Sequence, residues 1–467
     1  MATENSGDRL DTGGQGLLSL LELAGEQLAE FVDGLEGKDA VGPDLTATER
    51  RALAAPPPED PVTPREALAR AMGAVRVGLE SAGPVGFAYI PGSGLVEAAV
   101  GELVARTVNR YVALSEFAPG LVALEDGLLR WMASLFGMPA GSNGVMTTGG
   151  SHAILNMLVA VRERMLGEDE NLEDARLYVS DQAHHCVMKA ARVAGFPRRA
   201  VRVLRATDGR RLESGTVEAA IREDRAAGLR PFLLLATAGT TNSGSIDPLG
   251  PLADLAHSHH LWFHVDACYG GFFILTARGR DRLAGIEAAD SISLDPHKSL
   301  FMPFGSGALL MREPALLAAP FDDDAGDYLQ DVERGDLPDY ARLGFELTRE
   351  SRGLRVWLPL QIHGTAAFTA CLDAKLDLAA HAHRELSQVS QLEMLEEPEL
   401  SIVTFRMRAG DDASRETLRR VNATGRVFCS STMLDGRVTI RACVLSARTR
   451  RRHVDTLIEV VADAASR

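Results

Sequence analysis

No stretch of this chain is both long and apolar enough to cross a bilayer as a helix. Positive charge is in short supply. Against 64 Asp and Glu stand only 49 Lys and Arg, a formal net charge of −15, which argues against nucleic acid or an anionic membrane as the main partner. A small anionic ligand remains compatible, because backbone dipoles and single cations override the global sign locally. Cysteine is sparse as well. The five, Cys186, Cys268, Cys371, Cys429 and Cys443, are scattered without CxxC spacing, so neither a disulfide framework nor a zinc site is expected. The opening "MATENSGDRLDTGGQG" is polar and glycine-rich and lacks the apolar core of a signal peptide; a cytoplasmic protein is expected. What the chain does have is 467 residues, 46% of them hydrophobic, enough for two or three structural units around large cores.

Leu17, Leu20, Leu21, Ala24, Leu28, Phe31, Val32 and Leu35 recur at helical spacing and predict one amphipathic helix. "AAPPPEDPVTP" (54–64) reads as an extended, proline-rich connector. Between about 140 and 312, short β-rich runs alternate with helical stretches. "RLYVS" (176–180), "FLLLAT" (232–237), "LWFHVD" (261–266) and "SISL" (291–294) read as buried strands, and "DPLGPLADLAHSHH" (247–260) as a helix between two of them. Such alternation implies βαβ units and a mostly parallel sheet, which binds ligands outside the carboxyl ends of its strands. The acidic segment 321–348 is long for a loop and is expected to act as a lid. From about 366 the chain reads as a smaller α+β unit.

Polar residues gather where those strands end. "TTGGSHAILNML" (147–158) places Gly149, Gly150 and Ser151 ahead of an apolar-periodic helix, a turn whose backbone N–H groups can hold a phosphate or simply cap the helix. Asp266 ends the strand of "HVDACYGG", where most acids merely cap the next turn. His184 comes just after a strand in "SDQAHHCVMKA". In "SLDPHKSLFMPFG" (293–305), Lys298 interrupts an apolar run. Either its stem snorkels to water, or its amine, kept partly neutral by burial, attacks an aldehyde. Each signal is weak alone. Together they meet the needs of pyridoxal phosphate: an amine for its aldehyde, a phosphate cradle, an acid for its ring nitrogen and a flat ring to stack on its face.

These residues resemble the group II pyridoxal-phosphate-dependent amino-acid decarboxylases, which include the aromatic-amino-acid, glutamate, histidine and cysteine-sulfinate enzymes. The resemblance runs from about residue 80 to the C-terminus. It implies a fold-type-I α/β architecture: a large domain with a mostly parallel seven-stranded sheet, a small C-terminal α+β domain and an N-terminal helical segment. The corresponding boundaries are 1–83, 84–365 and 366–467, with the first segment packing on a dimer partner. "DSISLDPHKSL" is similar to the family's lysine segment, which makes Lys298 the cofactor's Schiff-base lysine and implies cofactor contacts from Ser291 and His297. "DQAHHCVMKA" carries the stacking role to His184. "ATAGTTNSGSIDPL" (236–249) places Thr237 near the cofactor, and "HVDACYGG" does the same for Ala267 beside Asp266. Ser299, His152 and Ile154 depart from the family pattern, the first replacing a large apolar residue and the others a glutamate and an asparagine.

For the reaction, the resemblance implies decarboxylation of an L-amino acid to its amine. "LPDYARLGFELTRESRGLRVWL" (337–358) is similar to the family's mobile loop and gives Tyr340 the role of proton donor to the carbanion, with Tyr328 as a second candidate. A tyrosine there implies amine rather than aldehyde as product. "VTIRACVLSARTR" (438–450) assigns Arg441 to the substrate carboxylate. "FAYIPGSG" (87–94) and "TVNRYVALSEFAPG" (107–120) resemble substrate-pocket segments shared across a homodimer, which brings in Tyr89, Pro91, Arg110 and Ala113. "EFAPGLVALE" (116–125) leans toward the glutamate and cysteine-sulfinate branch, with Arg110 meeting a distal acid. The competing expectations are another outcome on the same scaffold, such as oxidative deamination to an aldehyde or carbon–carbon lysis, and a silent binding protein that kept the fold.

Overall fold

The computed structural model describes residues 10, 12–167, 171–207, 210–321 and 335–467. The runs rich in Leu, Val, Ile and Phe form strands because each can bury both of its faces. Seven of them make the large sheet: β1 (Asn143–Thr147), β2 (Ala175–Ser180), β3 (Val201–Leu204), β4 (Arg230–Thr237), β5 (Trp262–Asp266), β6 (Ser291–Leu294) and β7 (Gly307–Met311). Their order is β1-β7-β6-β5-β4-β2-β3. All neighbouring pairs are parallel except those made by β7, which runs antiparallel to both β1 and β6. The expected helix between β4 and β5 is Leu249–Ser258. β2, β5 and β6 are buried along their whole length, sandwiched by helices.

A long helical run, Gly353–Leu386, leaves this unit and is broken at Gly364, whose φ of 67° no helix accommodates. It leads into a second, antiparallel sheet of four strands, β8 (Leu392–Met394), β9 (Ile402–Met407), β10 (Ser430–Leu434) and β11 (Arg437–Cys443), in the order β10-β11-β9-β8. The helices Asp411–Ala423 and Arg451–Ser466 accompany it. Its core, centred on Val403, Phe405, Ile440, Val454 and Leu457, is separate from the one under the large sheet.

The N-terminal periodicity is realised as the helix Gly13–Gly34, yet none of its residues is buried. Leu18, Leu20, Leu21 and Leu28 lie exposed on it. The proline-rich connector forms no helix or strand between residues 54 and 63 and ends where Thr63 caps the helix Pro64–Val75, with Glu66 closing a capping box. Of the segment expected to form a lid, residues 322–334 lie outside the described residues, Tyr328 among them. Its remainder, from residue 335 to 348, contains a single 3-10 turn, Tyr340–Arg342.

Candidate active site

The carboxyl ends of β1, β2, β4, β5 and β6 open on one cavity of about 390 Å³. Each strand sets its own polar residues on the cavity wall. After β1 the turn Thr148–Gly149 leads into the helix Gly150–Leu166, so the first turn of that helix, with Ser151, faces the cavity. Gly150 is required there: a Cβ on it would lie 2.3 Å from Cys268 Sγ. β2 delivers His184, β4 Thr237, β5 Asp266, and β6 the turn carrying His297 and Lys298, all lining the same space. The structure thus gathers the predicted cradle, stacking histidine, acid and lysine in one place.

Within the cavity, Asp266 is buried and accepts hydrogen bonds from the Cys268 N–H at 3.1 Å and the Ser293 hydroxyl at 3.4 Å. His184 Nδ1 accepts from the Cys186 N–H at 3.3 Å. Burial lowers the imidazole's pKa and outweighs the pull of Asp266, so a neutral, flat ring faces the cavity. The backbone N–H of Thr237 is held by Asp247 Oδ2 at 2.8 Å, while its buried hydroxyl has no partner among the described residues. Burial pushes the Asp247 carboxyl up to about 6. His297 Nδ1 donates to the Ser306 carbonyl at 2.7 Å.

Lys298 corrects one expectation. Burial does oppose its charge, but Asp295 Oδ2 at 2.9 Å, with Asp266 behind it, more than compensates, and the amine's pKa is raised. The resting amine is an ammonium, held by a carboxylate that sequence reasoning overlooks. Asp295 also accepts the Gly150 N–H at 2.7 Å. Its spacing of three residues from Lys298 in "LDPHK" is the available signal.

Arg441, on β11, reaches toward the same lysine from the small sheet. It lines an adjoining space of about 370 Å³ together with Tyr89, Ile90, Phe304, His184, His297 and Lys298. Its guanidinium is buried, donating to the carbonyls of Tyr89 at 2.9 Å and Asn242 at 3.3 Å and to Ser430 Oγ at 3.1 Å. Nη2 has no partner among the described residues. A buried cation that no carboxylate answers is costly unless a ligand supplies the anion.

Other expected contacts lie elsewhere. Ser291 is buried in β6, where its hydroxyl bonds Trp262 Nε1 at 2.9 Å and His264 Nδ1 at 2.8 Å, so it serves the core. Ala267 also belongs to the core, its N–H donating to the Ser293 carbonyl at 3.0 Å. Pro91 is buried, with the next residue, Gly92, pressed against the His297 carbonyl. Ala113 packs with Leu114 and Ala341. Arg110 is exposed just past the left-handed Asn109 cap and lines neither space. Tyr340 lies apart from both spaces. It is 2% exposed, sits under the Arg349 guanidinium with 4.3 Å from ring centre to Cζ, and its hydroxyl has no hydrogen-bond partner among the described residues. Arg349 itself pairs with buried Glu125. This phenol is part of the core and lines neither space. Of the departures from the family pattern, His152 lines the cavity and packs its ring on Phe345 at 4.8 Å. Ile154 is core, and Ser299 is buried with an unpartnered hydroxyl.

Residues 71–408 match the family model described as the pyridoxal-dependent decarboxylase conserved domain. The chain belongs to the pyridoxal-dependent decarboxylase family. Among curated relatives of this decarboxylase, an aromatic-L-amino-acid decarboxylase of Bacillus atrophaeus is 33% identical over 78% of the chain and 77% of its own length. A phenylacetaldehyde synthase of Arabidopsis thaliana is 28% identical over 82% of both. Among solved structures, the Oryza sativa TDC with PLP and tryptamine superposes with a TM-score of 0.91 at 25% identity, covering 100% of this chain and 99% of that one. The fold is that of the fold-type-I pyridoxal phosphate enzymes.

The cavity fits the decarboxylase's cofactor on its own geometry. The Gly150–Leu166 helix presents its N-terminus as a cradle a Cβ would fill, the Thr237 hydroxyl is buried without a partner among the described residues, and Asp266 and Lys298 follow the carboxyl ends of the neighbouring parallel strands β5 and β6. Lys298 would hold the aldehyde, the helix N-terminus with Ser151 the phosphate, Asp266 the ring nitrogen and His184 the ring face. Pyridoxal phosphate, when bound, supplies an electron sink for the pair left behind when carbon dioxide departs.

Proposed function

We propose that this decarboxylase converts an L-amino acid with an aromatic or large apolar side chain to its amine. The observation that carries the reading is Arg441: a buried guanidinium, one nitrogen unpartnered, on the wall of a space that also contains Lys298. It binds and orients the substrate carboxylate, which aligns the bond to be broken. Tyr89, Ile90 and Phe304 form the apolar part of the same wall, suited to a substrate side chain and to stripping water from the carboxylate. Among the described residues, Lys298 and Arg441 are the lysine and arginine that line the two spaces, and a second acid group on the substrate meets no further lysine or arginine among them. This favours an aromatic substrate, as the name of the Bacillus atrophaeus relative does, over the acidic one that Arg110 suggested.

Proton delivery moves from Tyr340 to Lys298 in this reading. Its Nζ is charged and inside the cavity, and a general acid so positioned is worth roughly a hundredfold or more in rate. A second reading keeps the carbon dioxide loss but ends in aldehyde, ammonia and peroxide, with dioxygen consumed. The phenylacetaldehyde synthase relative favours it. Measuring carbon dioxide, amine, aldehyde and peroxide together over a panel of L-amino acids separates the two. Stoichiometric amine from aromatic substrates, with none from glutamate or cysteine sulfinate, supports the first reading; peroxide matching carbon dioxide supports the second.

The proposal includes a cytoplasmic homodimer. Supporting it are the exposed leucines of the Gly13–Gly34 helix, which need a partner surface, and five free cysteines, which suit a reducing compartment. An active, concentration-independent monomer would count against the dimer.

A further inference from the structure

We propose that Asp295 is the counter-ion that keeps the free amine of Lys298 protonated and ties it to the cofactor cradle, so that cofactor attachment requires the Lys298–Asp295 pair to open. The inference rests on Lys298 being the attachment lysine. Asp295 is 3% exposed and spends both oxygens on the site: Oδ1 accepts the Gly150 N–H at 2.7 Å, and Oδ2 lies 2.9 Å from Lys298 Nζ and 3.6 Å from His297 Nε2. Among the described residues it is the carboxylate that pairs with Lys298. Asp266 and Cys268 at the end of β5, His184 and Cys186 after β2, and His152 on the cradle helix also face the cavity. Of these, Asp266 favours the ammonium, and none of them is paired with it; burial keeps the Cys268 thiol neutral.

The chemistry makes this pairing consequential. Attachment joins Nζ to the aldehyde carbon as C=N and expels the aldehyde oxygen as water. Two of the three ammonium protons leave on that oxygen and the third stays on nitrogen. The attacking species, however, is the neutral amine. Every unit by which a counter-ion raises the lysine's pKa lowers the neutral fraction tenfold near neutral pH, and a carboxylate this close is worth roughly one to three units. Asp295 is therefore a positioning residue that slows loading at neutral pH while fixing where the amine points. Asparagine at 295 retains an oxygen for the Gly150 N–H and replaces the charged acceptor facing Nζ with an uncharged amide N–H group.

The test uses the full chain stripped of cofactor and reloaded with pyridoxal phosphate, with the absorbance of the C=N bond monitored across neutral and alkaline pH. D295N is expected to load about tenfold faster or more at neutral pH, with its half-maximal pH lower by about one unit or more. Asp295→Glu should restore part of the alkaline profile. Identical pH profiles for wild type and D295N would overturn the proposal. If D295N does not fold, competitive acetylation of the wild-type chain with peptide mass analysis still decides. Lys298 should titrate above the ordinary lysine value of about 10.4; titration at or below it would overturn the proposal. Failure of the wild type to take up pyridoxal phosphate at any pH would instead count against the cofactor reading itself.

Discussion

Replacing Tyr340 by phenylalanine separates the role its geometry supports from the role the family resemblance implies. A phenol that protonates the carbanion loses its function in this variant, and amine formation should then fall by about a hundredfold or more while aldehyde appears. The structure leads to the opposite expectation. The ring is buried beneath Arg349, and the cation–π contact at 4.3 Å depends on the ring and not on the hydroxyl. The hydroxyl is buried without a partner among the described residues, and an unsatisfied buried polar group costs about 1–3 kcal/mol. Removing it relieves that cost and forfeits only the packing of one oxygen. Tyr340→Phe should therefore be as stable as wild type or more stable by about 1 kcal/mol, with an amine-to-aldehyde ratio unchanged within about twofold. Urea unfolding and product analysis under air measure both quantities. A collapse of amine yield with aldehyde released would refute the reasoning, because the phenol would then have to leave its seat in the core during turnover.

Arg441→Gln should raise KM by about tenfold or more with a smaller change in kcat, since a charge-assisted hydrogen bond of about 1.5–3 kcal/mol is lost; an unaltered KM would remove Arg441 from the substrate site. Gly150→Ala should lower cofactor occupancy, because the new Cβ meets Cys268 Sγ at 2.3 Å, and Cys268→Ala on top of it should recover part of the loss. Full occupancy of Gly150→Ala, measured by absorbance after gel filtration, would contradict the cradle. His264 is buried between Ser291 and Ser293, and burial brings its pKa down to about 4. A depressed histidine gives stability that is complete above its unfolded pKa and is lost as pH falls through the folded one. Unfolding free energies of wild type from urea titrations should thus drop between about pH 6.5 and 4 by up to about 3 kcal/mol relative to His264→Asn; parallel curves would show that His264 does not titrate in this way.

The fold was legible because burial on both faces of a parallel sheet leaves uninterrupted apolar runs, and β2, β4, β5 and β6 fall on the runs read as strands. β1 and β3 carry weaker runs, whereas β7 is as apolar and as buried as the others. The site was legible to the extent that its residues sit just past strand ends, as Gly149–Ser151, His184, Thr237, Asp266 and Lys298 do. Ser291 shares a strand face with Ser293, and both hydroxyls turn to His264 on the neighbouring strand, that of Ser291 also to Trp262, partners that linear order does not show. Tyr340 and Arg110 sit on connections, whose packing depends on tertiary neighbours such as Arg349 and Glu125, more than two hundred positions apart in the sequence and paired only in the fold. Asp295 was missed although it is only three residues from Lys298. An acid before a histidine and a lysine reads as an ordinary turn residue until the Gly150 N–H is known to point at it.

Lys298 as the residue that carries the cofactor is the claim on which the rest depends. Reducing the purified, pyridoxal-phosphate-loaded protein with borohydride fixes the cofactor to whichever amine holds it, and peptide mass analysis locates it. The added mass is expected on the peptide containing Lys298, with decarboxylation abolished in step with its appearance. Finding it on another lysine, such as the buried Lys375 of the small unit, or an unmodified Lys298 in an active protein, would contradict that claim.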